Sequence, residues 1–554
     1  MSLIYMKILE KKPESYDEEF HKLFPESQLI YEMIKERIGV QGHILEIGCG
    51  TGQLAVYLRK RGLKLTAVDI SAEMIAYAKE KSITENVDID FIQGDFVSYQ
   101  IFNKLKNIGK FDVIISTFAL SEFSPLRQKL FLKQTAQLLK ESGTMFIAAD
   151  SYPTSSFKKL VFSFKHFMNS QLSIMKNIVS THPIKDFESL LTPFFSFKLL
   201  YEKSPIKFFE CQPKLATEIR IKPISSFETV LGKHFKGLKV AWCILNGIFT
   251  RKSISPGLYT VGTPSPQSPL LITGNYYWTV WAVWRSLVKQ NITCYVLIVD
   301  SSGINVWCAA GGKHFTHSQI SDALRLFDVD EHVNHKEITL PQLSATGVDH
   351  KELKKQGWKP RFGPVYIDDL NSFLRSQKKE KNHAKVKFQF SFRTLMGLQH
   401  SFFILVTFFF PLMLLAAILM FFQVIGAVFW FNVILRLMAL GIVLSMLFAW
   451  IYPLFNFTNS FFTKGVIFGL GSVITVIIYM VVQDPGISLP NLIFWIALTL
   501  LVSMFIGLDF AGNTPYTNHL DVESDLVLFS IPAIVLSVIA LIVPALFPPI
   551  MYLF

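Results

Sequence analysis

Two stretches of this chain place residues with chemical potential at spacings that could form sites. The first is Gly303-Ile304-Asn305-Val306-Trp307-Cys308-Ala309-Ala310-Gly311-Gly312-Lys313. It follows Cys294–Asp300, a short apolar run rich in β-branched residues that reads as a buried strand, broken by Ser301-Ser302-Gly303. Cys308 stands beside a tryptophan and ahead of four small residues, which let something large and flat approach the backbone. A thiol there can ligate a soft or borderline metal, or it can be a buried structural cysteine in a tight turn; residue types alone leave both open. The second stretch is His43-Ile44-Leu45-Glu46-Ile47-Gly48-Cys49-Gly50-Thr51-Gly52-Gln53, a strand, a glycine-rich turn and a helix start. Its glycines admit a ligand close to the backbone, and the helix start favours negative charge. An acid, Asp69, ends the next strand 23 residues after Glu46, where a carboxylate can bond ribose hydroxyls.

The elements that must position these residues follow from periodicity. Residues 1–42 repeat Phe24, Leu29, Ile30, Met33, Ile34 and Ile38 at helical spacing, which predicts a helix covering the edge of the next domain. Strands are expected at His43–Ile47, Leu65–Asp69, Asp90–Gln93, Phe111–Ser116 and Thr144–Ala149, with helices such as Ser71–Lys81 and Leu126–Lys140 between them. That alternation gives a doubly wound parallel sheet. Phe197–Glu202 and Ile206–Cys211, around Lys203-Ser204-Pro205, read as a closing antiparallel hairpin. Alone, the glycine-rich turn could equally serve NAD.

The whole series, from residue 40 to about 212, resembles the class I S-adenosyl-L-methionine-dependent methyltransferases. The resemblance implies that Glu46, Gly48, Cys49, Gly50 and Gly52 form the cofactor loop, that Asp69 and Ile70 bind the ribose side, and that Gly94, Asp95 and Phe96 flank the adenine. Glu122 and His182 could act as acid or base toward an acceptor, or be ordinary surface residues.

Asn305–Gly311 resembles the cap-helix signature of the HgcA family of mercury-methylating corrinoid proteins, whose corrinoid domain is similar to that of the corrinoid iron–sulfur proteins of acetyl-CoA synthesis. Ser255–Tyr259, Ser268–Tyr276, Leu340–Val348 and Phe362–Val365 follow that family in order and spacing, so the likeness runs from about Ser253 to the C-terminus. It implies a cobalamin-type corrinoid with Cys308 as lower axial ligand of cobalt, lined by Thr273, Asn275, Asn305, Val306, Trp307, Ala309, Ala310 and Gly311. It also implies methyl transfer to Hg(II) and a separate low-potential iron–sulfur ferredoxin of the HgcB type. One departure stands out: the family has Lys then Gly after Ala-Ala-Gly, whereas here Gly312 precedes Lys313. The fused methyltransferase is a further departure. It could load cobalt from S-adenosyl-L-methionine or methylate another metal, metalloid or small molecule; a corrinoid-binding or sensing membrane protein is the non-enzymatic alternative.

Composition sets the frame. Of 554 residues, 51% are hydrophobic, concentrated in the last third. The net charge of +12 gathers partly at residues 375–393, where Arg375, Lys378, Lys379, Lys381, Lys385, Lys387 and Arg393 face one acid, Glu380. Placed next to apolar spans, such charge sets orientation, so nucleic acid is not expected as a partner. The five cysteines form no CxxC pair, which argues against disulfides, zinc or an iron–sulfur cluster held by this chain alone, and suits a reducing compartment. His314, His317, His332, His335 and His350 share no helical face and read as solvated. The N-terminus lacks a long apolar core, so no signal peptide is expected.

Five apolar runs, near 396–422, 424–450, 464–482, 489–509 and 526–553, are each long enough to cross a hydrocarbon core of about 30 Å. The basic stretch predicts a cytoplasmic start, hence soluble domains in the cytoplasm and the C-terminus outside. By parity the loops at 452–464 and 511–525 are cytoplasmic, the second carrying Ala511–Thr517, which is similar to a loop of the HgcA family. Arg436, inside an apolar run, is either functional or snorkelling. The expected architecture is α/β: a doubly wound methyltransferase domain (1–215), a linker (216–252), an α/β corrinoid-binding domain (253–374), a basic juxtamembrane linker (375–394), and an all-α five-span transmembrane bundle (395–554) in the cell (inner) membrane.

Overall fold

The computed structural model describes residues 12–39, 42–153, 162–163, 182–214, 225–226, 253–376, 389–405, 409–421, 427–455, 457–483, 485–511 and 519–546. Most of the linker at 216–252 and of the basic stretch at 377–388 lies outside these.

The N-terminal region forms two helices where one was expected, α1 (Pro13–Leu23) and α2 (Glu26–Arg37), because Pro25 interrupts the run. Then follow β1 (His43–Ile47), α3 (Gln53–Lys60), β2 (Lys64–Asp69), α4 (Ala72–Thr84), β3 (Asp90–Gln93), α5 (Tyr99–Ile108), β4 (Phe111–Thr117), α6 (Pro125–Leu138), β5 (Leu139–Asp150), α7 (Phe187–Leu191), β6 (Phe195–Lys203) and β7 (Ile206–Pro213). Ser71 and Ser98 cap α4 and α5, accepting from the N–H groups of Met74 and Ile101. The seven strands order as β3-β2-β1-β4-β5-β7-β6. The first five are parallel, and β6 and β7 are the antiparallel hairpin. Glu46 registers with Ala67 on one side and Ile115 on the other, so the carboxyl ends of β1, β2 and β4 share one edge.

The second domain has β8 (Ser225–Ser226), β9 (Gly257–Val261), β10 (Leu270–Gly274), α8 (Tyr277–Lys289), β11 (Cys294–Val299), α9 (Val306–Gly311), α10 (His317–Leu326), β12 (Glu337–Leu340), α11 (His350–Lys355), β13 (Lys359–Phe362) and α12 (Leu370–Ser376). Its sheet runs β13-β12-β10-β11-β9-β8. Central β10 and β11 are buried along their whole length, which accounts for their unbroken apolar sequence. The edge strand β13 lies at Lys359–Phe362. An edge strand tolerates Pro360 and needs no apolar run, so periodicity did not mark it.

In the C-terminal region lie α13 (Phe390–Ile404), α14 (Phe410–Phe421), α15 (Ala427–Ile451), α16 (Phe461–Gln483), α17 (Leu489–Ala511) and α18 (His519–Leu546). Among the described residues three helical stretches are long and apolar enough to cross a membrane: Ile434–Phe455, Phe461–Val482 and Leu489–Leu508; Ser524–Ala540 is a shorter one. The first apolar run holds two helices, α13 and α14, with residues 406–408 outside the described set. Helices α16 and α17 cross backbone to backbone: a Cβ on Gly507 would sit 2.7 Å from Gly465 Cα, and one on Gly465 would sit 2.9 Å from Ser503 O. Small residues at such a crossing allow the close packing that joins helices in lipid.

Candidate functional site

The glycine-rich turn is built as its sequence requires. Gly48, Gly50 and Gly52 all have positive φ. A Cβ on Gly48 would meet Ala119 Cβ at 2.5 Å, and one on Gly52 would meet Ala78 Cβ at 2.9 Å, so only glycine fits either place. The Gly48 N–H donates to Val68 O (2.8 Å), and the Gly50 N–H donates to Asp69 Oδ2 (2.8 Å). Asp69 Oδ1 accepts from the Ser71 N–H (2.9 Å), and the Gly94 N–H reaches Asp69 O (2.8 Å). Glu46, the turn, Asp69, Ile70 and Gly94–Phe96 are thereby brought to one edge of the sheet. Ile70 is exposed there, while Phe96 is buried and packs on Phe131 with ring centroids 4.8 Å apart. Cys49 is also buried, and burial pushes its thiol well above the usual range.

Glu46 is 3% exposed, and its Oε2 makes no hydrogen bond among the described residues. Burial, and then the neighbouring charge of Asp69, push its carboxyl up to about 8, against the Ala55 N–H, which stabilises the anion. A cationic ligand group beside it would favour the ionised form.

The helical pattern of residues 1–42 predicted a cover for the edge of this domain, and the structure supplies one. Helix α1 lies over the turn: Thr51 Oγ1 donates to Asp17 Oδ1 (2.5 Å), Lys81 pairs with Asp17 (3.1 Å), and His21 Nε2 lies 3.2 Å from Gln53 Oε1. Phe20 packs edge-on against Phe118, a non-glycine residue held at φ 65° at the exit of β4. Such a backbone is rare outside glycine and marks a position fixed by its surroundings.

Beyond β4 and β5 a second group collects. The segment containing His182 and Ile184 bridges the two strand exits: the His182 N–H donates to Ser121 O (2.6 Å) and the Ile184 N–H to Asp150 O (2.9 Å). Asp150 is 6% exposed, its Oδ1 has no partner among the described residues, and burial plus the charge of Glu122 raise its carboxyl to about 6. Burial lowers the His182 imidazole, while Glu122 and Asp300 pull the other way. Asp300 belongs to the second domain, at the exit of β11. The two domains meet directly where Arg127 of α6 donates to Asp322 of α10 at 2.9 Å.

The turn after β11 is organised by Asn275, which is 3% exposed. Its Oδ1 accepts from the N–H groups of Ser301 and Gly303 (both 3.0 Å) and from Ser301 Oγ (2.9 Å), while its Nδ2 donates to Asp300 Oδ1 (3.0 Å). Asn275 thus shapes the turn that launches α9. Asn305 caps that helix, its Oδ1 accepting the Cys308 N–H at 2.8 Å. Val306, Ala309 and Ala310 are buried, Trp307 and Cys308 half-buried, and Gly347 packs so tightly that a Cβ would lie 2.5 Å from Ala310 O. Burial raises the Cys308 thiol, and the Asn305 side chain opposes this. At the end of α9 the left-handed position falls on Lys313, φ 61°, not on Gly312. The exchanged Gly–Lys order thus puts a side chain where the backbone favours glycine.

The corrinoid expected from the resemblance would find one half-buried thiol on a helix of small residues, open space about Gly311, and a buried hydroxyl, Thr273 Oγ1, with no partner among the described residues. A corrinoid brings its own equatorial nitrogens, so a single protein donor suffices; the residues fit. Among the described residues no group of three or more metal-ligating side chains gathers elsewhere.

Both soluble parts have relatives among known proteins. Residues 44–143 match the family model described as a methyltransferase domain, and residues 243–371 that of the CO dehydrogenase/acetyl-CoA synthase delta subunit. The gamma subunit of the acetyl-CoA decarbonylase/synthase complex from Methanopyrus kandleri is 27% identical over 135 residues, 24% of this chain and 29% of that protein. The Methanosarcina acetivorans gamma subunit is 36% identical over 118 residues, 21% of this chain and 25% of that protein. The chain thus spans less than a third of the length of these curated relatives. Among solved structures, magnesium protoporphyrin IX methyltransferase from Synechocystis PCC 6803 is 14% identical, covering 34% of this chain and 81% of that one with a TM-score of 0.26. The chain carries a methyltransferase domain and a domain similar to acetyl-CoA synthase subunits.

Proposed function

We propose that the chain is a membrane-anchored, corrinoid-dependent methyltransferase of the HgcA kind, which methylates Hg(II) with a methyl group drawn by its own N-terminal domain from S-adenosyl-L-methionine. The observation that carries this reading is the docking of the two soluble domains, where Arg127 of α6 donates to Asp322 of α10 (2.9 Å) and Lys133 to Arg325 O (2.8 Å). Fusion alone raises the effective concentration of one site at the other; docked domains also orient them. Glu46, Gly48–Gly52, Asp69, Ile70 and Gly94–Phe96 hold S-adenosyl-L-methionine, and Cys308 holds the corrinoid cobalt, with Thr273, Val306, Trp307 and Gly311 around it. When bound, a corrinoid would supply a cobalt able to carry a methyl group, with the Cys308 thiolate as its protein donor, and a separate ferredoxin of the HgcB type would supply the two electrons that each transfer to Hg(II) requires. Asn305 and Asn275 keep the thiol on its short helix, and Gly347 lets the chain beneath that helix approach.

The membrane part is read as five spans in the cell (inner) membrane with both soluble domains cytoplasmic. Supporting this, Asp525 at the start of α18 accepts the Phe461 N–H (2.6 Å) and Ser460 Oγ–H (2.7 Å) at the start of α16. Trp450 at the end of α15 donates to Thr394 near the start of α13 (3.0 Å). These ends share one side, as alternation from a cytoplasmic α13 requires.

A second reading is favoured by Asp150, Glu122 and His182. A proton-accepting group suits a protic acceptor and is idle toward a cobalt nucleophile, so the N-terminal domain would then methylate another metal, metalloid or small molecule. One experiment separates them. Reconstituted protein with methyl-labelled S-adenosyl-L-methionine should label the corrinoid, and Hg(II) should carry the label into methylmercury; Cys308→Ala should lose the thiolate-ligated spectrum and both transfers. Label that never reaches the corrinoid supports the second reading, and a wild type with no thiolate signature overturns the role of Cys308.

A further inference from the structure

Arg127 lies on α6 of the methyltransferase domain, yet its guanidinium is divided between domains. Its Nη2 donates to Asp95 Oδ2 at 2.5 Å, and its Nε donates to Asp322 Oδ2 at 2.9 Å. Asp95 follows β3 in the stretch expected beside the adenine. Asp322 belongs to α10 of the second domain and is 3% exposed. The other oxygen of Asp322 accepts from Arg325 Nη2 at 2.6 Å, and the same nitrogen donates to Val97 O at 2.7 Å. Acid, guanidinium, acid and guanidinium therefore alternate from the cofactor edge into α10.

Apolar packing runs alongside. Leu326, from α10, is buried in the core cluster of the first domain with Phe96, Val97 and Phe131. Lys133, on α6, donates to Arg325 O (2.8 Å) and Leu326 O (3.1 Å), placing a cation at the C-terminal end of α10 where the helix dipole favours it. The segment Asp95–Val97 is thus held on one side by its own domain and on the other by α10.

We infer that the second domain completes the S-adenosyl-L-methionine site: Asp322, acting through Arg127, positions Asp95, so cofactor affinity depends on this bridge and cofactor binding tightens it. The inference rests on the cofactor assignment above. A planar guanidinium fixes two carboxylates at a set separation, as a lysine could not. Asp322 is too buried for salt to screen, and removing its charge leaves Arg127 held by Asp95 alone. Coupling of two equilibria is reciprocal, so the effect must be measurable from both sides.

The full-length chain in detergent serves for the test, with S-adenosyl-L-methionine binding measured by calorimetry. Asp322→Asn, which touches no cofactor residue directly, should weaken binding by about fivefold or more, whereas Lys133→Met, which loosens α10 without touching Asp95, should change it by less than about twofold. Adding S-adenosyl-L-methionine should slow amide hydrogen exchange across residues 317–326 in the wild type and leave it unchanged in Arg127→Gln. Unchanged affinity in Asp322→Asn, an equal loss in Lys133→Met, or no slowing in wild-type α10 overturns the bridge. Should Asp322→Asn fail to fold, the wild-type exchange result decides. A wild type that binds no S-adenosyl-L-methionine instead overturns the cofactor assignment itself.

Discussion

Glu46 shows how one buried side chain links site and stability. Its carboxyl stands at about 8 in the folded chain because it is buried and faces Asp69. The unfolded chain releases that proton near the ordinary value of 4.5, the folded chain only near 8. A group raised in this way contributes stability that is fully present below the ordinary value and is lost as pH rises toward 8. Asp150, raised to about 6, adds a smaller contribution of the same sign. Glu46→Gln removes the titration while keeping a group able to accept the Ala55 N–H. Without cofactor, the variant should match the wild type at pH 4, below the ordinary value. At pH 8 its methyltransferase domain should be the more stable by about 1 kcal/mol or more, about 2–4 °C in the first melting transition. Equal midpoints at pH 8 would show that Glu46 ionises freely. The cofactor should erase the difference if its cationic part settles beside the carboxylate.

At the scale of elements, the short helix α9 depends on what lies beneath it. Gly347 lies after β12, and a Cβ there would come within 2.8 Å of both Ala310 Cα and Phe315 O. These are backbone and core atoms, so nothing can rotate aside. Gly347→Val should displace α9, abolishing corrinoid absorbance in the reconstituted protein while leaving S-adenosyl-L-methionine binding within about twofold of wild type. Retained corrinoid binding would show that α9 does not hold the group. Gly274 plays a related part on the other side, where a Cβ would meet Ser301 Oγ at 2.7 Å and Val306 Cγ2 at 3.1 Å. The geometry of turn and helix thus rests on two close approaches and one asparagine.

For the whole molecule the issue is how soluble chemistry is tied to the bilayer. In the bundle, Lys464 is buried, donating to Tyr452 Oη at 3.1 Å and lying over the Phe461 ring at 4.2 Å. Together with Asp525 it makes a polar layer at one end of α16, and an interior charge in a membrane segment stays only where it is paired. If that end faces the cytoplasm, cysteines placed at Thr458 and Asn459 should react with a membrane-impermeant maleimide only after cells are opened, and a reporter fused after Phe554 should be active outside. Labelling of intact cells at either cysteine would reverse the orientation, and a cytoplasmic reporter would change the span count.

By itself the sequence determined the parts whose signals are local. Glycines at 48, 50 and 52, an acid closing β2, and strands alternating with helices specify a doubly wound sheet and its ligand edge, because each signal is a backbone requirement met within a few residues. The same holds for the apolar runs that became α13–α18. The hidden strand at Lys359–Phe362 escaped because an edge needs no apolar pattern. Tertiary structure alone decided what joins the parts. Arg127 meets a partner 195 residues away, and Asp17 meets Thr51 only because α1 folds back over the turn. Charged residues on amphipathic helices look alike in sequence whether they face water or a second domain. Which ones are buried is settled by long-range packing, and here that packing sets α6 of one domain against α10 of the other.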